Sequence, residues 1–237
     1  MAQVTWHRLD PSHVTAEFAL QRGMSMLDAA VPGDPATLAW WFVDDDALVL
    51  GRGSKASADA VACDAAGVSV VRRASGGGPV LWGPDLLALD VIIPKGHPRY
   101  SDDVARSYRW LGEALARTIT GVGVPARALA PNEARDAAGP MGALACFASL
   151  SPWEVVVDER KVVGLSQVRR RTGTLLQVGI LLDIDGARLA GLLQLDVAAR
   201  TALTDTLAQR ATGLGDHVDV DLSELITALT AEITAGT

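Results

Sequence analysis

The sequence predicts an α+β fold built on a mixed β-sheet, and three observations carry that prediction. Apolar β-rich runs alternate irregularly with helix-period runs, and hairpin-like turns fall among the helices instead of a regular strand-helix-strand winding. Of the 237 residues, 49% are hydrophobic and 21% charged, with 23 Gly and 11 Pro, a composition that supplies a sizeable core and excludes disorder, collagen and coiled coil. No repeat, low-complexity tract or dividing linker interrupts the chain, so a single domain over 1–237 is expected, with a helical segment from about 186 onward.

The elements follow in order. Val14, Phe18, Leu20, Met24 and Leu27 recur at helical spacing between Ser12, a capping residue, and Pro32, which predicts a helix over 12–30. Thr37–Val43 and Leu48–Leu50 flank three aspartates and predict a hairpin with a solvated tip. An Ala-rich stretch between Ser57 and Gly67 predicts a short helix, and Val68–Arg72 a strand. Arg73–Gly78 is a loop. Pro79–Leu81 and Leu86–Ile93 surround the turn composition Trp82-Gly83-Pro84-Asp85 and predict a second hairpin. Ser101 opens a run to about Thr120 with Val104, Tyr108, Leu111, Leu115 and Ile119 on one face, a helix. Residues 130–143 mix Pro, Asn, Gly and charge and are expected to form a mobile connection. Trp153–Val157 and Lys161–Gln167 are strands joined by Asp158-Glu159-Arg160, and Leu175–Leu182 is another. Leu189–Leu195 and Leu222–Ile233 read as helical.

The formal charge of −7 and a pI near 5.0 argue against a broad nucleic-acid surface. Cys63 and Cys146 form no CxxC pair and have no His-rich neighbour, which argues against structural zinc and disulfides and fits a reducing cytoplasm. No apolar run approaches a membrane span and the first thirty residues lack a signal-peptide core, so neither export nor membrane insertion is expected.

Three local features carry chemistry. Arg72-Arg73-Ala74-Ser75-Gly76-Gly77-Gly78 places guanidinium groups beside a run of glycines between two strands, where backbone N–H groups approach an anion or flat ligand without Cβ obstruction; the bland alternative is a flexible turn. The chain has no P-loop and no dinucleotide fingerprint. Lys161 opens a strand after a tight turn, as solvated edge lysines do; the sharper reading aims its ammonium into a pocket to stabilise charge on an acyl or phosphoryl oxygen. Cys146 lies in an apolar context typical of core cysteines, and acts as a nucleophile only with a cation or base beside it. Cys63 is assigned to packing.

The order of these pieces resembles the biotin/lipoate A/B protein ligase family. Arg73-Ala74-Ser75-Gly76-Gly77-Gly78-Pro79-Val80 is similar to that family's RR-x-SGGG-A-V loop, Arg160-Lys161-Val162-Val163-Gly164 to its GRK-x-x-G segment, and Gly173 to Asp185 to the strand that follows. The resemblance spans roughly residues 15–190. It implies a mixed central sheet flanked by helices, of the kind seen in class II aminoacyl-tRNA synthetases and biotin synthetases.

The resemblance also implies a function. Cys146-Phe147, where ATP-dependent lipoate ligases typically carry Asn-Asp, looks like the cysteine-dependent octanoyl and lipoyl transferases; the stretch after 190 is too short for the ligases' added domain. The implied activity is transfer of an octanoyl or lipoyl group, through a Cys146 thioester, to a lysine of a carrier domain such as a 2-oxoacid dehydrogenase E2 or a glycine cleavage H protein. Cys146 and Lys161 are then the implied catalytic residues, with Arg73, Ser75, Gly76, Gly77, Gly78, Pro79, Val80, Leu81 and Gly164 around the acyl group. No cofactor or metal is implied. Two alternatives stand beside it, a ligase using ATP and Mg²⁺ through lipoyl-AMP and an inactive lipoyl- or biotinyl-binding protein. Trp82 stands where the family usually has His, and the positions near Ala88 and Asp90 also depart from its pattern. Arg72, Arg73, Lys161, Arg169, Arg170 and Arg171 are expected to form a positive rim for an acidic carrier.

Overall fold

The computed structural model describes residues 5–136 and 140–235. In chain order its elements are β1 (Trp6–Arg8), β2 (Ser12–Val14), α1 (Ala16–Ala29), β3 (Ala36–Val43), β4 (Ala47–Leu50), α2 (Ala60–Ala65), β5 (Ser69–Arg72), β6 (Val80–Trp82), β7 (Leu86–Pro94), α3 (Arg109–Gly121), β8 (Ala126–Ala128), β9 (Val155–Val157), β10 (Arg160–Arg169), β11 (Gly173–Leu181), α4 (Gly186–Gly191), α5 (Val197–Arg210) and α6 (Leu222–Thr234), with short 3₁₀ turns between. The fold is α+β with a mixed sheet, as the sequence predicts. Eight strands form the main sheet in the order β1-β3-β7-β11-β10-β9-β8, with β2 also on β3, and a second sheet runs β5-β4-β6. Both β1 and β2 pair parallel to β3, while β7, β11, β10, β9 and β8 run antiparallel to their neighbours.

β7 is buried along its whole length because both of its faces are covered. Leu87, Leu89, Val91 and Ile93 pack with Leu111 and Leu115 of α3 and Leu225 and Leu229 of α6. The opposite side, through Leu86 and Ala88, meets Leu48 and Val80 of the small sheet. Two covered faces explain why the strand reads as one apolar run with no alternation.

Both predicted hairpins are corrected. β3 lies in the main sheet and β4 in the small one, and β6 pairs with β4 while β7 pairs with β3 and β11. The turns at 44–46 and 83–85 therefore carry the chain from one sheet to the other, and turn composition signals a reversal without naming the partner. Of the three aspartates only Asp44 is exposed; Asp45 accepts from the N–H of Ala16 at the start of α1, and Asp46 pairs with Arg188. The first helix begins at Ala16 with Thr15 as its cap, because residues 12–14 are recruited as an edge strand on β3. Ser101 caps no long helix either; a 3₁₀ turn at Arg106–Tyr108 leads into α3. Strand β9 starts at Val155, with Trp153 at φ 70°, while Asp158 and Glu159, both at positive φ, make the tight turn into β10 that the sequence predicts. Within 130–143, 3₁₀ turns form at Glu133–Asp136 and Pro140–Ala143, and 137–139 lie outside the described residues. Among the described residues no helix is long and apolar enough to cross a membrane.

Candidate active site

The two sheets bring three separate stretches to one place. The glycine loop joins β5 to β6, so it hangs from the small sheet; Lys161 projects from β10 of the main sheet; Cys146 opens the 3₁₀ turn Cys146–Ala148 between them. Cys146 is tied to the loop by its N–H, which donates to Pro79 O at 2.9 Å.

Lys161 is 1% exposed, so the expectation of a solvated edge residue is overturned. The pairing of β10 with β9 shifts register between Lys161 and Val163, a bulge of the kind that re-aims a side chain. Its stem then crosses Gly164, where an added Cβ would meet Lys161 Cε at 3.2 Å and Phe147 Cζ at 3.2 Å. The ammonium ends 2.6 Å from Glu154 Oε1, donates to Cys146 O at 2.9 Å and Ser149 O at 3.3 Å, and stands 3.8 Å from Cys146 Sγ. It also lies 4.9 Å from the centre of the Phe147 ring. Burial opposes the charge, but Cys146 and Glu154 beside it outweigh that and hold the Lys161 pKa above its ordinary value.

Glu154 is held as firmly as the lysine it pairs with. Its carboxylate accepts from Ser151 N at 2.7 Å and Leu165 N at 3.2 Å. Burial pushes this carboxyl up; with the ammonium at 2.6 Å and two backbone N–H groups on its oxygens, an ammonium-carboxylate pair is the state the geometry fits.

The glycine loop wraps a guanidinium. Arg73, 6% exposed, donates through Nε and Nη2 to Gly76 O at 3.3 and 3.0 Å and through Nη2 to Gly78 O at 3.0 Å. Gly77 adopts φ 108°, and a Cβ there would sit 2.6 Å from Arg73 Nη2 and 3.9 Å from Cys146 Sγ. At Gly78 a Cβ would strike the Ala145 backbone at 2.6 Å. Gly77 and Gly78 are thus required by close approach on the inner side of the loop, whereas a Cβ at Gly76 would meet nothing within 4 Å, and Gly76 and Gly77 are exposed on the outer side.

Cys146 opens onto a narrow cleft walled by Val80, Trp82, Leu86, Phe147, Val178 and Gly179, with Arg73, Ser166 and Gln177 as polar members. A mainly apolar wall with a few convergent polar groups is the lining common to small-ligand sites.

The Lipoyl protein ligase A/B catalytic domain family model matches residues 15–234. The chain belongs to that family. It is 33% identical over 225 residues to Octanoyltransferase LipM of Kyrpidia tusciae, covering 92% of this chain and 81% of that one. To Octanoyltransferase LipM of an Exiguobacterium species it is 29% identical over 222 residues, 91% and 80% of the two chains. Among solved structures, the bi-partite lipoate protein ligase of Thermoplasma acidophilum superposes with a TM-score of 0.77 at 19% identity over 98% of this chain and 82% of that one. A lipoate-protein ligase A bound with ATP gives 0.74 at 20% identity, covering 98% and 84%. These two likenesses show the fold.

Of the residues singled out from this family's motifs, Arg73, Gly77, Gly78, Pro79, Val80, Cys146, Lys161 and Gly164 gather at the cleft or the loop beside it. Ser75 lies beneath, fully buried. Leu81 faces the other way, into a neighbouring recess with Leu181 and Leu189. The positive rim is reduced: Arg73 and Lys161 are interior, Arg169 is half-buried against Tyr100, and Arg72, Arg170 and Arg171 remain exposed, Arg170 pairing with Asp28. Glu154, Gln177 and Ser166 were not assigned roles from the sequence. The one available signal is a lone charge at the head of the apolar run Val155–Val157.

Proposed function

We propose that the protein is an acyltransferase of protein lipoylation that moves an octanoyl group from a thioester donor to a lysine of a lipoyl carrier domain by way of a thioester on Cys146. The observation that carries this reading is the buried Lys161 ammonium 3.8 Å from Cys146 Sγ, in a chain whose relatives include octanoyltransferases. Cys146 as thiolate attacks the donor's carbonyl carbon, the donor's C–S bond breaks, and the donor departs as a thiol after taking up a proton. The neutral amine of the carrier lysine then attacks the Cys146 thioester, the amide forms, the thiolate returns to Cys146 and the amine's proton goes to solvent. Lys161 holds the sulfur's negative charge before and after each half-reaction, and the N–H groups of the glycine loop hold the carbonyl oxygen as it becomes anionic. Residues 1–237 act as one catalytic unit, and the exposed Arg72, Arg170 and Arg171 face an acidic carrier such as an E2 lipoyl domain or H protein. This route uses no cofactor.

Purified protein mixed with octanoyl-carrier protein is expected to gain the mass of one octanoyl group, released by hydroxylamine. AMP formation from lipoate and ATP without any such adduct overturns the reading in favour of a ligase, and neither product leaves a binding protein.

The loop offers an independent check. Gly77→Val forces a branched side chain into φ 108° and against Arg73, which displaces the loop at a cost of about 1–3 kcal/mol in stability. Stabilisation of the folded protein by an acyl ligand is expected to vanish in this variant, while its own thermal unfolding stays cooperative. Unchanged ligand-induced stabilisation would make the loop a simple turn.

A further inference from the structure

Asp90 is the only charged residue in the buried strand β7, and the chemistry above makes no use of it. Its Oδ2 accepts from Trp41 Nε1 at 3.0 Å and its Oδ1 from Gln177 Nε2 at 3.2 Å. A chain of hydrogen bonds continues from there. With the Gln177 amide nitrogen committed to Asp90, Oε1 faces Ser75 and accepts from its hydroxyl at 2.9 Å; the Ser75 oxygen in turn accepts from the Ser166 hydroxyl at 3.0 Å. Ser166 stands on the wall of the Cys146 cleft.

The direction of this chain is set at one end. An ionised carboxylate is acceptor-only, so it forces the amide of Gln177 to present nitrogen to it and oxygen to Ser75. Each hydroxyl hydrogen is then turned away from the cleft and toward Asp90. Reversed, the chain would end in a Ser166 O–H aimed at an alkyl chain that has no acceptor, an unsatisfied donor in an apolar site.

We propose that Asp90 is a specificity-determining residue: as a hydrogen-bond sink acting through Gln177 and Ser75, it turns the Ser166 hydrogen out of the cleft and leaves a wall suited to a saturated acyl chain. The inference rests on the proposed function for the identity of the chain bound. The groups facing the carboxyl are the indole of Trp41 from β3, the amide of Gln177 from β11 and, from α1, Gly23, where a Cβ would overlap Asp90 Oδ2; none of them is charged, and Asp90 takes part in no ion pair identified among the described residues. Burial raises the Asp90 pKa to about 7, against the smaller opposing effect of its two hydrogen bonds. Protonation of Asp90 therefore falls near neutral pH, and a protonated carboxyl donates to Gln177 Oε1 and reverses the chain.

The test uses octanamide, an uncharged stand-in for the octanoyl group, titrated by NMR against the full chain. Asp90→Asn keeps an acceptor for Trp41 but presents an NH₂ to Gln177, so octanamide affinity is expected to fall about tenfold or more. Asp90→Asn/Gln177→Glu restores an acceptor toward Ser75 and is expected to recover it. Wild-type affinity should weaken from pH 8 to pH 6, and Asp90→Asn should not share that dependence. The melting temperature of Asp90→Asn at pH 8 should be no lower than wild type, since a carboxyl whose pKa is raised on folding withdraws stability as pH rises through about 7. Wild-type affinity in Asp90→Asn, no recovery in the folded double variant, or no octanamide binding by the wild type overturns the proposal. The octanoyl adduct on Cys146 is scored separately, so octanamide binding with the expected pattern but no adduct would sink the transferase reading alone.

Discussion

Cys146→Ser is expected to lose octanoyl transfer to a carrier lysine by on the order of 10³-fold or more, the scale seen when a covalent nucleophile is removed. A serine at this position has the Lys161 ammonium at about the 3.8 Å of the present sulfur, and the carboxylate behind that ammonium is already engaged by it and by two backbone N–H groups. None of these withdraws its proton. A thiolate is the nucleophile of thioester chemistry, whereas a serine needs a base to take its proton, and the site places none beside it. Intact mass should show no acyl adduct on the variant, and its melting temperature should stay close to wild type because the side chains are nearly isosteric. A Cys146→Ser protein that joins lipoate to a carrier at full rate with ATP would refute the thioester route.

Lys161→Met removes the charge and keeps most of the stem, and is expected to cost on the order of 10²-fold or more in turnover. A solvated edge lysine would be lost with little effect on stability, but the buried position of Lys161 reverses that. Removing the ammonium strands Glu154, 1% exposed, without its counter-ion, and breaking a buried pair from one side costs about 3–5 kcal/mol. Stability of this variant should fall further as pH rises, because a carboxyl that burial has pushed up gives up its proton at increasing cost. Lys161→Met/Glu154→Gln should recover much of the stability and none of the turnover, which isolates the chemical role of the charge. Full activity in the folded double variant would return Lys161 to a packing role.

The parts of the site that could be read in the sequence are those whose chemistry is local. Three glycines after an arginine, a lysine followed three residues later by a glycine, and a cysteine ahead of a strand are each visible without knowing any partner, and their order along the chain relates them. Pairing is a property of the whole fold. Nothing near Leu48 states that it lies against β6 and not β3, and nothing near Lys161 states that a bulge turns it inward. Glu154 and Asp90 lay in plain view as single charges at the head of one apolar run and in the middle of another. Their meaning depends on distant partners, the ammonium of Lys161 and the chain from Gln177 to Ser166. Arg73 misleads in the opposite direction: a guanidinium beside glycines looks like a ligand contact, yet its bonds are spent folding the loop around itself.

The seclusion of the Lys161–Glu154 pair, 1% and 2% accessible at their side chains, separates two responses to ionic strength. Mobile ions screen charges over about 8 Å at physiological salt, but only where solvent reaches. The field that Lys161 exerts on Cys146 is set inside the protein and should be indifferent to added salt, whereas attraction between the exposed Arg72, Arg170 and Arg171 and an acidic carrier runs through water. If the carrier docks on those arginines as proposed, raising the salt concentration should slow the encounter with it and leave the reaction within the bound complex unchanged, a division that appears as a rising KM at constant kcat.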